Sequence, residues 1–140
     1  MVNREEQLRT FFRRYATVSR GPDPEKLARF YDTSFLAAGP KGGAAFNNDS
    51  AFLSWLRRVH DFNVQSGMRS IEAGEIEEIV VSADYTLATV AWAATFEKTG
   101  VAPIRFSISY LLRQSGDELK VVAYISHEDQ EEMMRASGLL

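Results

Sequence analysis

The sequence predicts an α+β fold in which an antiparallel strand meander packs on three N-terminal helices and a short helix follows at the end. Two observations carry this. Up to Gly67 apolar residues recur at three- and four-residue spacing, whereas beyond it they alternate or run together in segments of strand length. Those later segments are joined by short turns, and strands joined in that way lie side by side as antiparallel neighbours. A chain of 140 residues, 45% hydrophobic and 25% charged, has the size and apolar content of one domain, 1–140, around one core.

The first helix is read from Leu8, Phe11, Phe12, Tyr15 and Val18, which share one helical stripe, with Arg9, Arg13, Arg14 and Arg20 on the remaining surface. Glu5 and Arg9 are spaced for an i,i+4 pair. Gly21-Pro22 stops this helix, and Asp23-Pro24-Glu25 starts a second, with Asp23 as N-cap and Pro24 at the first position, where a missing N–H costs nothing. The second helix is expected to carry Leu27, Phe30 and Tyr31. Residues 35–38 read as a short extended piece before Gly39-Pro40-Lys41-Gly42-Gly43, a mobile loop without the spacing or strand-to-helix context of a phosphate cradle. Asn47-Asn48-Asp49 supplies the next cap, and Phe52, Trp55, Leu56, Val59 and Phe62 trace the apolar face of a third helix ending near Gln65.

Four strands follow. The first, 69–81, is irregular and acidic, and Gly74 marks a bulge in it. The second, 85–97, sets Val90, Trp92 and Phe96 on one face and Leu87, Thr89, Ala91, Ala93 and Thr95 on the other. The third, 104–113, alternates most cleanly, with Ile104, Phe106, Ile108, Tyr110 and Leu112 facing one way and Arg105, Ser107, Ser109, Leu111 and Arg113 the other. The last, 119–125, is apolar on both sides, as a covered central strand is. Ser126-His127-Glu128-Asp129 then reads as a capping box, Ser126 the N-cap, before a helix ending near Gly138.

Composition removes several function classes. A formal charge of −3 offers no broad footprint for nucleic acid, and the pairs Arg13-Arg14 and Arg57-Arg58 read as solvated helix faces. With no cysteine, disulfides, thiolate metal sites and cysteine nucleophiles are excluded. No apolar run approaches the roughly 20 residues that span a bilayer, and the first residues form no signal core, so a cytoplasmic protein without membrane attachment is expected. His60 and His127 share no helical face with further ligands, and no metal site is expected.

The element order resembles the nuclear transport factor 2-like superfamily, which includes SnoaL-like proteins and ketosteroid isomerases. Three local likenesses support it: Phe12-Arg13-Arg14-Tyr15, the segment from Pro24 to Phe35, and Leu119-Lys120-Val121-Val122. The resemblance implies a cone-shaped, cystatin-like fold, with one pocket between the concave sheet face and the helices, and a homodimer formed through the sheet. Its enzymes act on small, mostly apolar molecules by isomerisation, dehydration, cyclisation or epoxide hydrolysis, usually without a cofactor, and many members are not enzymes. In ketosteroid isomerases a tyrosine on the first helix, an aspartate before a proline and a second acid on a later strand act together, since proton abstraction needs a base in reach and donors aimed at the oxyanion. Tyr15 matches the tyrosine, but Gly39 and Arg105 occupy the acid positions, so chemistry of that kind is not expected. Neither the Asp-Arg-Asp cluster of limonene-epoxide-hydrolase-like members nor the paired histidines of scytalone-dehydratase-like ones assembles here.

Tyr15, Asp32 and His60 are the candidate catalytic residues, each with a plainer reading. Tyr15 is either a donor or a core tyrosine satisfied at the pocket edge. Asp32 is either an inward carboxylate or a helix-end turn-former near Thr33 and Ser34, and His60 either looks into the pocket or is a half-buried structural histidine. Phe11, Tyr31, Trp55, Trp92 and Phe96 are candidate ligand contacts or core. Arg105 is contested: the resemblance places it in the pocket, where it selects an anion, while strand alternation places it outside, leaving an apolar face for the helices. Two functions compete, a pocket protein for a small apolar molecule, enzyme or not, and a non-catalytic homodimeric interaction or ligand-sensing module.

Overall fold

The computed structural model describes residues 3–139. Helix α1 (Arg4–Arg20) begins on Asn3, whose Oδ1 accepts from the Glu6 N–H at 2.8 Å, and buries Leu8, Phe11, Phe12, Tyr15 and Ala16. Helix α2 (Pro24–Ala28) has the expected Asp23 cap, accepting from the Glu25 and Lys26 N–H groups. It is shorter than the apolar spacing suggests. Phe30 falls in the turn after it, and Tyr31 opens strand β1 (Tyr31–Gly39). The strand wins because it gains a ladder: β1 pairs in parallel with the last strand of the sheet, and the Val121 N–H reaches the Phe30 carbonyl at 2.8 Å.

The glycine-rich stretch is not a mobile loop. It is the turn of a hairpin that continues into strand β2 (Gly42–Asn47), paired antiparallel with β1 from Ser34↔Asn47 to Gly39↔Gly42. A Cβ on Gly43 would sit 2.7 Å from the Ala38 Cβ and 2.9 Å from the Ala37 oxygen, so glycine there lets the two strands approach. Strand β2 was hidden because every residue in it is exposed and no alternation marks it.

Helix α3 (Ser50–Gln65) is capped by Asp49, which accepts from the Phe52 N–H at 3.1 Å. It ends where Gly67 takes φ +74 and returns its N–H to the Val64 carbonyl. The meander then follows as β3 (Met68–Val80), β4 (Tyr85–Phe96), β5 (Ile104–Ser115) and β6 (Glu118–Ser126). The curved sheet has the order β2-β1-β6-β5-β4-β3, antiparallel except between β1 and β6. The bulge expected at Gly74 is present as a register shift between Ala73 and Ile76.

Alternation sets the core. Ala88, Val90, Trp92, Ala94 and Phe96 of β4 and Ile108, Tyr110 and Leu112 of β5 are buried on one face, and the buried side of α1 rests on it. Thr86, the one fully buried polar residue among those described, is bonded to the Arg4 guanidinium. Helix α4 (Gln130–Ala136) corrects the expected capping box: its N-cap is Asp129, accepting from the Glu132 N–H at 3.2 Å. Ser126 stays in the β6 ladder opposite Ile108, and its hydroxyl donates to the Glu128 carbonyl. Among the described residues, no helix is long and apolar enough to cross a membrane.

Candidate functional site

The curved sheet and the helices leave a cavity of about 230 Å³ between them. Each wall follows from an element's apolar face. Helix α1 contributes Tyr15 and Val18, β1 contributes Tyr31 and Phe35, and α3 contributes Trp55, Leu56, Val59 and His60. The sheet floor is Trp92, Phe96, Tyr110 and Tyr124, and α4 supplies Gln130, Met133 and Met134.

Four tyrosines, Tyr15, Tyr31, Tyr110 and Tyr124, line the interior together with the polar side chains of Ser19, His60, Asn63 and Gln130. The Tyr15 and Tyr31 hydroxyls are 2.6 Å apart, and the Trp92 Nε1–H donates to the Tyr110 hydroxyl at 3.0 Å. Gln130 Nε2 donates to the Tyr124 hydroxyl and to Ser126 Oγ, both at 3.1 Å. Burial pushes the Tyr31 and Tyr110 hydroxyls well above the ordinary phenol range and raises Tyr124 as well. Burial raises Tyr15 too, with its hydrogen bond to Tyr31 pulling the other way. These groups therefore stay protonated and serve as neutral donors. Of the Tyr15 and Tyr31 hydroxyls one donates to the other, and the one that accepts keeps its own proton for a guest; the Tyr15 ring lies 5.9 Å from those of Trp92 and Tyr110.

Charge is scarce on the walls. Among the described residues, Asp23 is the only carboxylate lining the cavity, and it is occupied in capping α2; no lysine or arginine lines it. No three His, Cys, Asp or Glu side chains among the described residues gather as a metal ion would require.

Of the candidates for chemistry, the structure brings Tyr15 and His60 to one cavity and leaves Asp32 out of it. Asp32 lies on β1 beside inward-facing Tyr31, so strand alternation turns it to the opposite face. There the Arg113 Nε meets its Oδ2 at 2.6 Å, and that bond holds its carboxyl below the usual carboxylate range. The acid or base role offered for Asp32 is thus replaced by an ion pair.

Among the proposed ligand contacts, Tyr31, Trp55, Trp92 and Phe96 line the cavity, with Trp55 half-exposed at its mouth and stacked on Phe52. Phe11 does not. It is buried behind the wall, its ring meeting Phe12 at 4.9 Å and Phe30 at 5.2 Å. Arg105 does not either: it is exposed on the outer face opposite Ala93, because Ile104, Phe106, Ile108 and Tyr110 take the inward positions of β5. His127 also lies outside, its Nε2 2.7 Å from Ser109 Oγ.

Sequence reasoning missed Tyr110, Tyr124 and the whole α4 wall. Tyr110 stood in the inward series of β5, so its alternation was the available signal. Tyr124 reads out of phase because a register shift between Leu111 and Leu112 turns the end of β6 by one residue.

A family described as NTF2-like protein (DUF6841) matches residues 4–129. Among solved structures, an NTF2-like protein with a cystatin-like fold from Novosphingobium aromaticivorans is 16% identical, with a TM-score of 0.71 over 95% of this chain and 87% of that one. The yeast UBP3-associated protein BRE5 is 18% identical, with a TM-score of 0.69 over 91% and 97%. A domain of unknown function with a cystatin-like fold from Nostoc punctiforme is 13% identical, with a TM-score of 0.68 over 96% and 83%. At these identities the likeness is one of fold. No curated protein matches the chain.

Proposed function

Since the chain belongs to the NTF2-like family DUF6841, we propose that it binds one small, neutral, mostly apolar molecule in its central cavity, with an acceptor oxygen of that molecule at Tyr15. The observation that carries this is the Tyr15–Tyr31 hydroxyl pair, 2.6 Å apart, in a wall made mostly of aromatic, aliphatic and thioether side chains. A buried donor without a partner costs free energy, and an incoming carbonyl relieves that cost. A cavity of about 230 Å³ suits a guest of one or two rings. Any turnover in this cavity, whether isomerisation, dehydration, cyclisation or hydrolysis, rests on His60 as the basic nitrogen on its wall, with Tyr15 as donor.

The test is fluorescence titration with prodan, a neutral naphthyl ketone whose emission reports polarity. Binding to the wild-type chain is expected, and Tyr15→Phe should weaken it roughly fivefold to tenfold, the worth of one hydrogen bond. Equal affinity for the two proteins would sink the role of Tyr15.

The assembly that goes with this reading is a homodimer through the outer sheet face. What supports it is a row of side chains in cross-strand register, Leu36, Ala123, Leu111, Leu87 and Ile79, running from β1 to β3. Leu36 is 43% exposed and Ile79 62% exposed, and Ile125 beside the row is 41% exposed. A self-complementary apolar strip of that kind suits a two-fold contact. This surface is also what favours the second reading, a dimeric module that senses a ligand without turning it over.

A further inference from the structure

We propose that α4 is a latched lid, the element that admits the ligand and sets which apolar ring fits; this rests on reading the cavity as a ligand site. The stretch matched by the family ends at Asp129, and α4 starts at the next residue. The wall made by Gln130, Met133 and Met134 therefore lies outside the residues the family match covers.

The attachment of α4 is that of a lid. None of its residues is buried, although it covers the cavity. It is held at its two ends. At the first, Lys41 from the β1–β2 turn sets its Nζ 2.9 Å from Asp129 Oδ2 and 3.9 Å from Glu132 Oε1, and Gln130 bonds to Tyr124 and Ser126. At the second, Leu139 is buried with Ala94 and Phe96, and Met134 packs on that cluster. An element with few buried contacts opens at low free energy while the sheet stays closed. Methionine suits the underside of such a lid, because its unbranched thioether reshapes around a guest.

Lys41 is the latch. It is an exposed cation, and the carboxylates it faces are Asp129 and Glu132, with Glu131 further off. Because Lys41 is 72% exposed, solvent screens the pair and its contribution is small. A weak latch is what gating requires: it biases closure without trapping the guest.

Hydrogen exchange and stopped-flow prodan binding on the wild-type chain, Lys41→Met and Lys41→Glu test this. Exchange of α4 amides should rise about threefold in Lys41→Met and further in Lys41→Glu, which repels Asp129 and Glu132, while amides of β4, β5 and β6 do not change. Prodan association and dissociation rates should rise together by the same factor, leaving the dissociation constant nearly fixed. Met133→Ala should instead weaken equilibrium binding several-fold. Prodan binding with α4 exchange or rates that ignore Lys41 overturns the lid and leaves the pocket reading standing. Failure of prodan to bind any variant overturns the pocket reading and the gate with it, whatever the exchange order.

Discussion

Tyr15 owes its position to helical spacing and its chemistry to three neighbours that no spacing reveals. Leu8, Phe12 and Tyr15 mark a buried stripe in the sequence, but Tyr31, Tyr110 and Trp92 meet Tyr15 only after β1, β4 and β5 have stacked in register. The raised tyrosines give a prediction in alkali. Their folded values lie above the unfolded phenol value of about 10, so stability from these groups is intact below that pH and is lost as pH climbs toward the folded values. Phenolate absorbance of Tyr15, Tyr31, Tyr110 and Tyr124 should appear together with unfolding, rather than before it. Asp32 carries the opposite sign. Its folded value is depressed by Arg113, so the stability it adds is present above the unfolded carboxylate value of about 4 and disappears as pH falls through the folded value. Asp32→Asn should therefore lower the melting temperature at neutral pH, with the gap closing in acid. Prodan affinity should not move, because Asp32 is outside the cavity; a large loss would restore it as a site residue.

At the scale of elements, helices and meander strands were legible because each has a buried face that repeats, and the β1–β2 hairpin was not because β2 has none. Gly43 is the residue that permits it. Gly43→Ala places a methyl against the Ala38 side chain and the Ala37 carbonyl, and should destabilise the chain by about 1–3 kcal/mol in urea unfolding. The same hairpin carries Lys41 to α4, so Gly43→Ala should also quicken α4 exchange. The misplaced cap of α4 has a related cause. Ser126 and Asp129 are both good capping residues, and pairing of Ser126 with Ile108 in the sheet decides between them.

For the whole molecule, the inner face of the sheet meets the helices and the cavity, and the outer row from Leu36 to Ile79 is the surface on which the proposed homodimer is tested. Light scattering should report a dimer for the wild-type chain, and Leu36→Glu, an exposed site that tolerates charge in the monomer, should shift it to monomer without loss of melting temperature. A wild-type chain that scatters as a monomer at micromolar concentration would remove the assembly and leave the cavity reading intact.

Local pattern along the chain left Arg105 between an outward and an inward placement, and folding put it outward. That pattern was enough for the α+β class, the order of helices and meander, and the inward series of β4 and β5. These are consequences of local period, since burying one face imposes 3.6-residue or two-residue repeats on the residues that do it. The pairing of Asp32 with Arg113 across the sheet, the meeting of Tyr110 and Tyr124 with Tyr15 and Tyr31, and the seat of α4 on the cavity came from packing in three dimensions. Those contacts join residues far apart along the chain. Their register depends on a bulge in β6 and on a parallel pairing of β1, neither of which leaves a period to read.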